Sequence, residues 1–430
     1  MAPELGADAP SYKWWVVFML WFVCFFNYAD RQSLSAVFPV LEHQYGFNKE
    51  QLGLIGSAFM WTYAGGALIA GLAADRFRRK SLILGGCLFW SAVTVVTGGC
   101  GKLWQFITVR TLTGFGETFY FPAALSLISD YHDGRTRSRA LAFHQSGVYA
   151  GTILGSWVGA WLAMHYGWRT GFYFFGAAGV LVAAALALML REPRRGAAET
   201  AVLPGGSLGV GATLGIIFRS PPAILLMLAF VCANAVATVF LVWTPTFLTD
   251  KFHYDLATAG LGGTVFIHTA SFFAVPVAGW LADRLARQFS GGRILIQAAG
   301  LVVGAVFVFL VGHTGDPTTL ILAMTAFGLC KGFYDSGIFA SLYDLVEPRA
   351  RGTAAGIMNT VGWGGGAFGP LLVGYIAEHG GRPTKIENMS AAIAWGGALY
   401  LLGAALLLGA MLLIRRPLNL ISPALNLPVV

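Results

Sequence analysis

Charge is what this chain has least of. Of its 430 residues only 11% are Asp, Glu, Lys or Arg, while 56% are hydrophobic; soluble proteins carry about 25% charged residues, so a soluble globule is excluded. Cysteine is scarce as well. Cys24, Cys87, Cys100, Cys232 and Cys330 all fall in apolar runs without loop partners or ligand-like spacing, which excludes a disulfide scaffold and leaves them as packing residues. No G-x-x-x-x-G-K-[ST] occurs, so an ATP-driven pump is not expected. GGGAFG (364–369) satisfies G-x-G-x-x-G but lies in an apolar helix with no strand before it, which makes it close-packing glycine rather than a nucleotide site. No metal-ligand cluster or nucleophile–base pair stands out, so neither a cofactor, a metal nor an enzyme is expected. MAPELGADAPSYK has no basic n-region or cleavage site and reads as a short tail, not a signal peptide. Asn388-Met-Ser390 is a glycosylation sequon that matters only in a secretory-pathway host.

What the chain has in abundance is long apolar runs, and its mean hydropathy is +0.67. Runs of membrane-spanning length, about 20 residues, lie near 14–40, 51–74, 80–100, 103–130, 138–164 and 168–191. A second set follows near 221–249, 256–284, 292–313, 317–346, 351–379 and 390–415. The runs are continuous rather than alternating, so the expectation is an all-α membrane protein of twelve transmembrane helices, not a β-barrel. The net charge is +8, and its placement matters more than its size. Basic residues cluster in alternate loops: Arg76, Arg78, Arg79 and Lys80; Arg135, Arg137 and Arg139; Arg191, Arg194 and Arg195; then Arg284, Arg287 and Arg293; Arg349 and Arg351; Arg415 and Arg416. By the positive-inside rule these loops and both termini are cytoplasmic. The expectation is a multi-pass protein of a plasma membrane, such as a bacterial inner membrane, with the lipid bilayer and not nucleic acid as its surroundings.

Two stretches recur. GLAADRFRR (71–79) returns as GWLADRLAR (279–287), and FYFPAALSLISDYHDGRTRSRA (119–140) as FYDSGIFASLYDLVEPRARGTA (333–354), with Asp130 falling on Asp344. Two parallel six-helix pseudo-repeats are therefore expected: 1–190, a cytoplasmic linker over 191–220, and 221–430. Within the linker, LGVGATLGIIFRS reads as a short interfacial helix. The repeated G-x-x-x-D-R-x-x-R/K resembles the signature loop of the major facilitator superfamily, although Arg78 stands where that motif usually has Gly. The resemblance covers essentially the whole chain and implies the major facilitator fold, with substrate held near the midplane between halves that rock against each other. In such a loop Asp75 and Arg76, and in the second half Asp283 and Arg284, would form a latch that engages in one state only. The alternative is positive charge that merely sets topology.

The charges inside the runs are few: Asp30 and Arg31 in span one, Arg110 and Glu117 in span four, Lys331 and Asp335 in span ten. A charge at the bilayer centre costs roughly 2.5–3.5 kcal/mol on insertion scales. Arg110 and Glu117 are seven apart and share a helix face, about 10.5 Å along the axis. Gly114 and Gly116 thin that face, and span one is the expected neighbour, which would join the four charges in one dry pocket of zero net charge. Asp30 is expected to turn toward span four and Arg31 toward the cavity. An anion that captured an Arg would free the carboxylate it held to take a proton, which couples the two ligands; the alternative is a network that only locks helices.

N-Y-x-D-R in span one, Phe59, Trp61 and Tyr63 in span two, and R-x-L-x-G-x-G-E-x-x-x-F-P-A in span four together resemble the anion:cation symporter family. That family takes up organic anions, often sugar acids and other carboxylates, with protons. The resemblance makes Asp30 and Glu117 the proton-linked acids, Arg31 the carboxylate anchor and Arg110 a partner of the acids, with Tyr28 and Tyr63 lining the site. It implies a proton-coupled symporter of a small organic anion; separately, a monomer is expected. In the second half Lys331 falls on Glu117, and it either neutralises Asp335 at i,i+4 or attracts anions. Gln145 and Asn359, pseudo-symmetric amides with Tyr149 and Trp363 beside them, could bind substrate hydroxyls or bond between helices. His144 could face the site or headgroups, and His268 reads as a satisfied core histidine. The competing readings are a spinster-like lipid or lysolipid carrier, whose N-Y-x-D-R-like first span and G-x-G-E fourth span are similar, and a proton-driven drug efflux antiporter.

Overall fold

A computed structural model describes residues 10–133, 136–193 and 208–414. Among them there is helix and no strand. The basic residues Arg135, Arg194, Arg195, Arg415 and Arg416, and most of the linker, lie outside that range.

Among the described residues, eight helices are long and apolar enough to cross a membrane unbroken: α3 (Lys49–Arg76), α4 (Arg79–Thr97), α7 (Arg137–Tyr166), α8 (Trp168–Met189), α10 (Pro221–Phe252), α11 (Leu256–Ala286), α12 (Gly292–His313) and α17 (Lys385–Ile414). The other four crossings, expected as single helices, are each interrupted: α1 (Pro10–Ala36) and α2 (Phe38–Tyr45), α5 (Leu103–Thr118) and α6 (Tyr120–Tyr131), α13 (Pro317–Asp335) and α14 (Ile338–Tyr343), α15 (Arg351–Gly366) and α16 (Phe368–His379). Proline explains three of the breaks. Pro39, Pro122 and Pro370 bring no N–H to the carbonyl four residues back. The carbonyl that Pro370 frees, on Gly366, accepts the Thr238 hydroxyl at 2.8 Å. Pro245 sits inside α10 without ending it; the Leu241 carbonyl it leaves bare accepts the Gln32 amide from α1. The short helix expected in the linker is α9 (Val210–Phe218).

In the first half α1 packs on α7, α3 on α5 and α4 on α8; in the second α12 and α10 pack on α17, and α11 on α13. The halves meet through α3 against α15 and α16, α7 against α11, and α1 against α10. The α1–α7 seam is built by Gly147, Gly151, Gly155 and Gly159. A Cβ at any of them would press on Trp21, Phe25, Ala29 or Ser33, one turn of α1 after another, so the two backbones touch. This corrects the expectation for span four. Gly114 faces the Phe59 carbonyl of α3 and Gly116 faces Phe89 of α4, so the thinned face of α5 admits α3 and α4 rather than α1.

The duplication also shows in charge. Arg79 at the start of α4 pairs with Asp130 at the end of α6. Arg293 at the start of α12 pairs with Asp344, just beyond α14. Both residues of the first pair lie 214 positions before their counterparts in the second.

Candidate functional site

Although α1 and α5 do not share a glycine seam, their charges meet, because Arg31 is long enough to cross the gap. Its Nε makes a buried ion pair with Glu117, and its Nη2 donates to Asn27 Oδ1 at 3.2 Å, one turn back on α1. Around the guanidinium stand Tyr28, Phe59 and Tyr63, with ring centroids 4.5, 4.6 and 4.7 Å from Cζ. Arg110 lies on the same Phe59 ring at 4.5 Å, a cation–π geometry that steadies a desolvated base. Asp30 is held from the other side, accepting the Thr94 hydroxyl of α4 at 2.8 Å. All four charges are buried, Glu117 at 1% exposure and Arg31 at 7%.

The expected division between neighbours on α1 is therefore corrected for Arg31, which turns to span four, while Asp30 bonds span three and still faces Glu117 of span four. The two part because adjacent positions on a helix point about 100° apart. Asp30 still lies in the field of Glu117, Arg110 and Arg31. The cluster has two acids, two bases and unspent capacity. Asp30 Oδ1, Glu117 Oε1 and Arg110 Nε are buried without a hydrogen-bond partner among the described residues. Chemically, it can trade one carboxylate for another on a guanidinium, or accept a proton on an orphan carboxylate oxygen.

Tyr63 extends the cluster across the interface, meeting the Trp363 ring of α15 edge-on at 6.1 Å. Asn359 is half-buried one turn before Trp363 on the same helix. Tyr149 stands apart from this group. Its ring neighbours are His268 at 6.0 Å and Phe272 at 5.9 Å, both on α11, and it lies within electrostatic reach of Lys331. Lys331 is paired with Asp335 on its own helix. Gln145 is exposed, one turn from Tyr149. His144 faces neither site nor headgroups but is buried against the Tyr120 hydroxyl at 2.8 Å. His268 is only half-buried, and its Nδ1 has no partner among the described residues, unlike a satisfied core histidine.

At the repeated loops the Asp75 side chain lies outside the described part, and Arg76 is exposed. The N-terminus of α4 is capped by Glu192: its carboxylate accepts from the Arg79 and Lys80 N–H groups at 2.8 and 2.7 Å. Asp283 accepts from Arg293 at 2.9 Å, and Arg284 lies over the Trp280 ring at 5.6 Å. Asn27, Thr94 and Phe59 are the parts of the cluster that sequence reasoning did not assign.

Two helical halves, a break shared by the fourth and tenth crossings and a buried charged cluster are a transporter's layout. The family model described as Major Facilitator Superfamily matches residues 20–314 and 247–424. The chain belongs to that superfamily. Its relatives within it include the rice "Probable anion transporter 4, chloroplastic", 29% identical over 86% of this chain; the match spans 64% of the rice protein's own length. The Bacillus subtilis "Probable galactarate/D-glucarate transporter GudP" is 26% identical, with 92% of this chain and 89% of that one covered. Among solved structures, a bacterial homologue of the human lysosomal transporter Spinster, in its inward-facing, occupied form, superposes with a TM-score of 0.78 at 19% identity, over 94% of this chain and 97% of that one. That likeness speaks for the fold alone. The superfamily fold and these relatives are those of multi-pass membrane transporters, not enzymes.

Proposed function

We propose that this chain is a proton-coupled symporter of a small organic anion, a sugar acid or another carboxylate, working by alternating access. The observation that carries the reading is the buried Arg31–Glu117 pair, set among aromatic rings beside a second acid and a second base. The names of the rice and Bacillus relatives point the same way. In this reading the substrate carboxylate takes Arg31 from Glu117. Glu117 or Asp30 then holds a proton, because a carboxylate left without its cation in a dry site is neutralised. Substrate and proton each improve the other's binding, which is what symport requires. Arg110 keeps the acids poised, Tyr28 and Tyr63 wall the site, and Gln145, Asn359 and Trp363 face substrate hydroxyls.

The halves 1–190 and 221–430 would rock about this cluster. Their cross-contacts cluster at the end away from the basic loops, which is the outer end if those loops are cytoplasmic. The test is purified protein in liposomes. Sugar acids or other carboxylates should accumulate against their gradient when protons are supplied inward, and should not when the proton gradient is collapsed. Accumulation of a lysolipid, with no anion uptake, would favour the spinster-like reading instead.

A further inference from the structure

The duplication puts a base in the second half where the first has its proton-linked acid: Lys331 lies 214 positions after Glu117. Its surroundings are not those of a surface ion pair. The Lys331 side chain is 18% exposed and its partner Asp335 33%. His268 of α11 lines one crevice with Lys331, and Tyr149 of the opposite half lies against the His268 ring at 6.0 Å, within electrostatic reach of the ammonium. Three helices from both halves thus converge on one cation. Ala237, Leu241, Gly263, Ile267 and His268 line a crevice beside Lys331. Leu241 is the residue whose carbonyl accepts Gln32, the neighbour of Arg31, so the two cationic groups flank the same α1–α10 contact.

Hydrogen-bond donors from three side chains gather beside one carboxylate here. An ammonium has three N–H groups, a tyrosine hydroxyl one more, and an imidazole at least one. Asp335 is the acceptor that the described residues bring to Lys331, and His268 Nδ1 is buried without a partner. A half-buried ammonium with a hydroxyl and an imidazole beside it can hold an anionic group through charge-assisted hydrogen bonds once Asp335 gives way. Asp335, the more exposed of the pair, can swing to water when another carboxylate arrives, as Glu117 cannot.

We infer that Lys331, His268 and Tyr149 form a second anion pole, and that the transported substrate is a dianion with carboxylates at both ends, one for Arg31 and one for Lys331. This rests on the organic-anion reading above and deepens it. A ligand held at both poles ties the two halves together, so its length is set by the gap between them.

Binding to the purified full chain, measured by calorimetry with matched pairs, tests the inference: succinate against butyrate, adipate against hexanoate, D-glucarate against D-gluconate. At least one diacid should bind tenfold or more tightly than its monoacid. Lys331→Gln should erase that preference, and Asp335→Asn should strengthen diacid binding by removing the competing carboxylate. The double variant Lys331→Gln/Asp335→Asn removes the pair without leaving a lone charge, and it should also lose the preference if the single variant is unstable. Monoacids binding as tightly as their diacids would overturn the second pole while leaving the anion reading in place. So would a diacid preference that survives in the double variant. If no anion of either kind binds, both readings fall together.

Discussion

Arg31 holds three kinds of partner at once: a carboxylate, an amide oxygen and three aromatic faces. A lysine has the charge but neither the planar fork nor the stacking surface. Arg31→Lys should therefore weaken anion affinity at least tenfold in a binding titration, and wild-type affinity would move the anchor elsewhere. Glu117→Gln keeps the shape and removes the titrating group. Gradient-driven accumulation should vanish in that variant while substrate exchange across the membrane persists; unchanged accumulation would end the proton role. These residues were legible in the sequence because a charge in an apolar run announces itself. The roles of Asn27, Thr94 and Phe59 were not: Asn27 and Phe59 stand in the quoted motifs without a role and Thr94 in none, since polar neutral and aromatic side chains are ordinary in such a helix. Only the fold shows that they touch Arg31 and Asp30.

At the scale of elements, the first half depends on the seam where α1 lies directly on α7. Ala29, against which a Cβ at Gly155 would press, is the residue before Asp30. Gly155→Leu should push α1 away and carry Asp30 and Arg31 with it. Overpacking of this kind typically costs about 1–3 kcal/mol, so a lowered melting temperature in detergent and a loss of binding are expected together. Gly85→Ala on α4, where nothing lies within reach of an added Cβ, should leave both unchanged. The sequence carries this glycine ladder in full view, but Gly114 and Gly116 lie nearer the charges of span four. A run of glycines says that something approaches closely, not which helix does. The echo that set Asp130 on Asp344 became a pair of matching ion pairs, Arg79–Asp130 and Arg293–Asp344, although the loop echo set Arg79 on Arg287 rather than on Arg293. The helix breaks were less legible, because a proline in an apolar run permits either a kink, as at Pro370, or an unbroken helix, as at Pro245.

At the scale of the whole molecule, the two halves are locked together at the end remote from the basic loops. There Lys49, 3% exposed, pairs with Glu42 of its own half and with Asp250 of the other at 2.6 Å. Its backbone N–H donates to Glu378 at 3.2 Å, Glu378 pairs with Lys385 at 2.6 Å, and His379 approaches Glu50 at 3.5 Å. Removing the central cation leaves carboxylates from both halves facing each other, which favours separation. Lys49→Gln should therefore open this end. Ser57, fully buried and bonded to the Ala367 carbonyl at 2.6 Å, would report it. A cysteine placed there should react faster with an impermeant maleimide in the Lys49→Gln background, and equal rates would refute the lock. Twelve crossings, two halves and their duplication were legible from hydropathy and repeats. Which end is shut was not, because it is decided by contacts between residues some 200 or 300 positions apart.

That locked end has a further property. Gly53 lies against the backbone of Pro370, and Gly374 against the carbonyl of Lys49, so main chain meets main chain with no side chain between. A join of that kind has no room for a file of water, and without one hydronium cannot hop through. The shut face should hold a membrane potential. Gly53→Ala would wedge the join by one methyl group, and liposomes carrying that variant should discharge an imposed proton gradient faster than wild type with no substrate present.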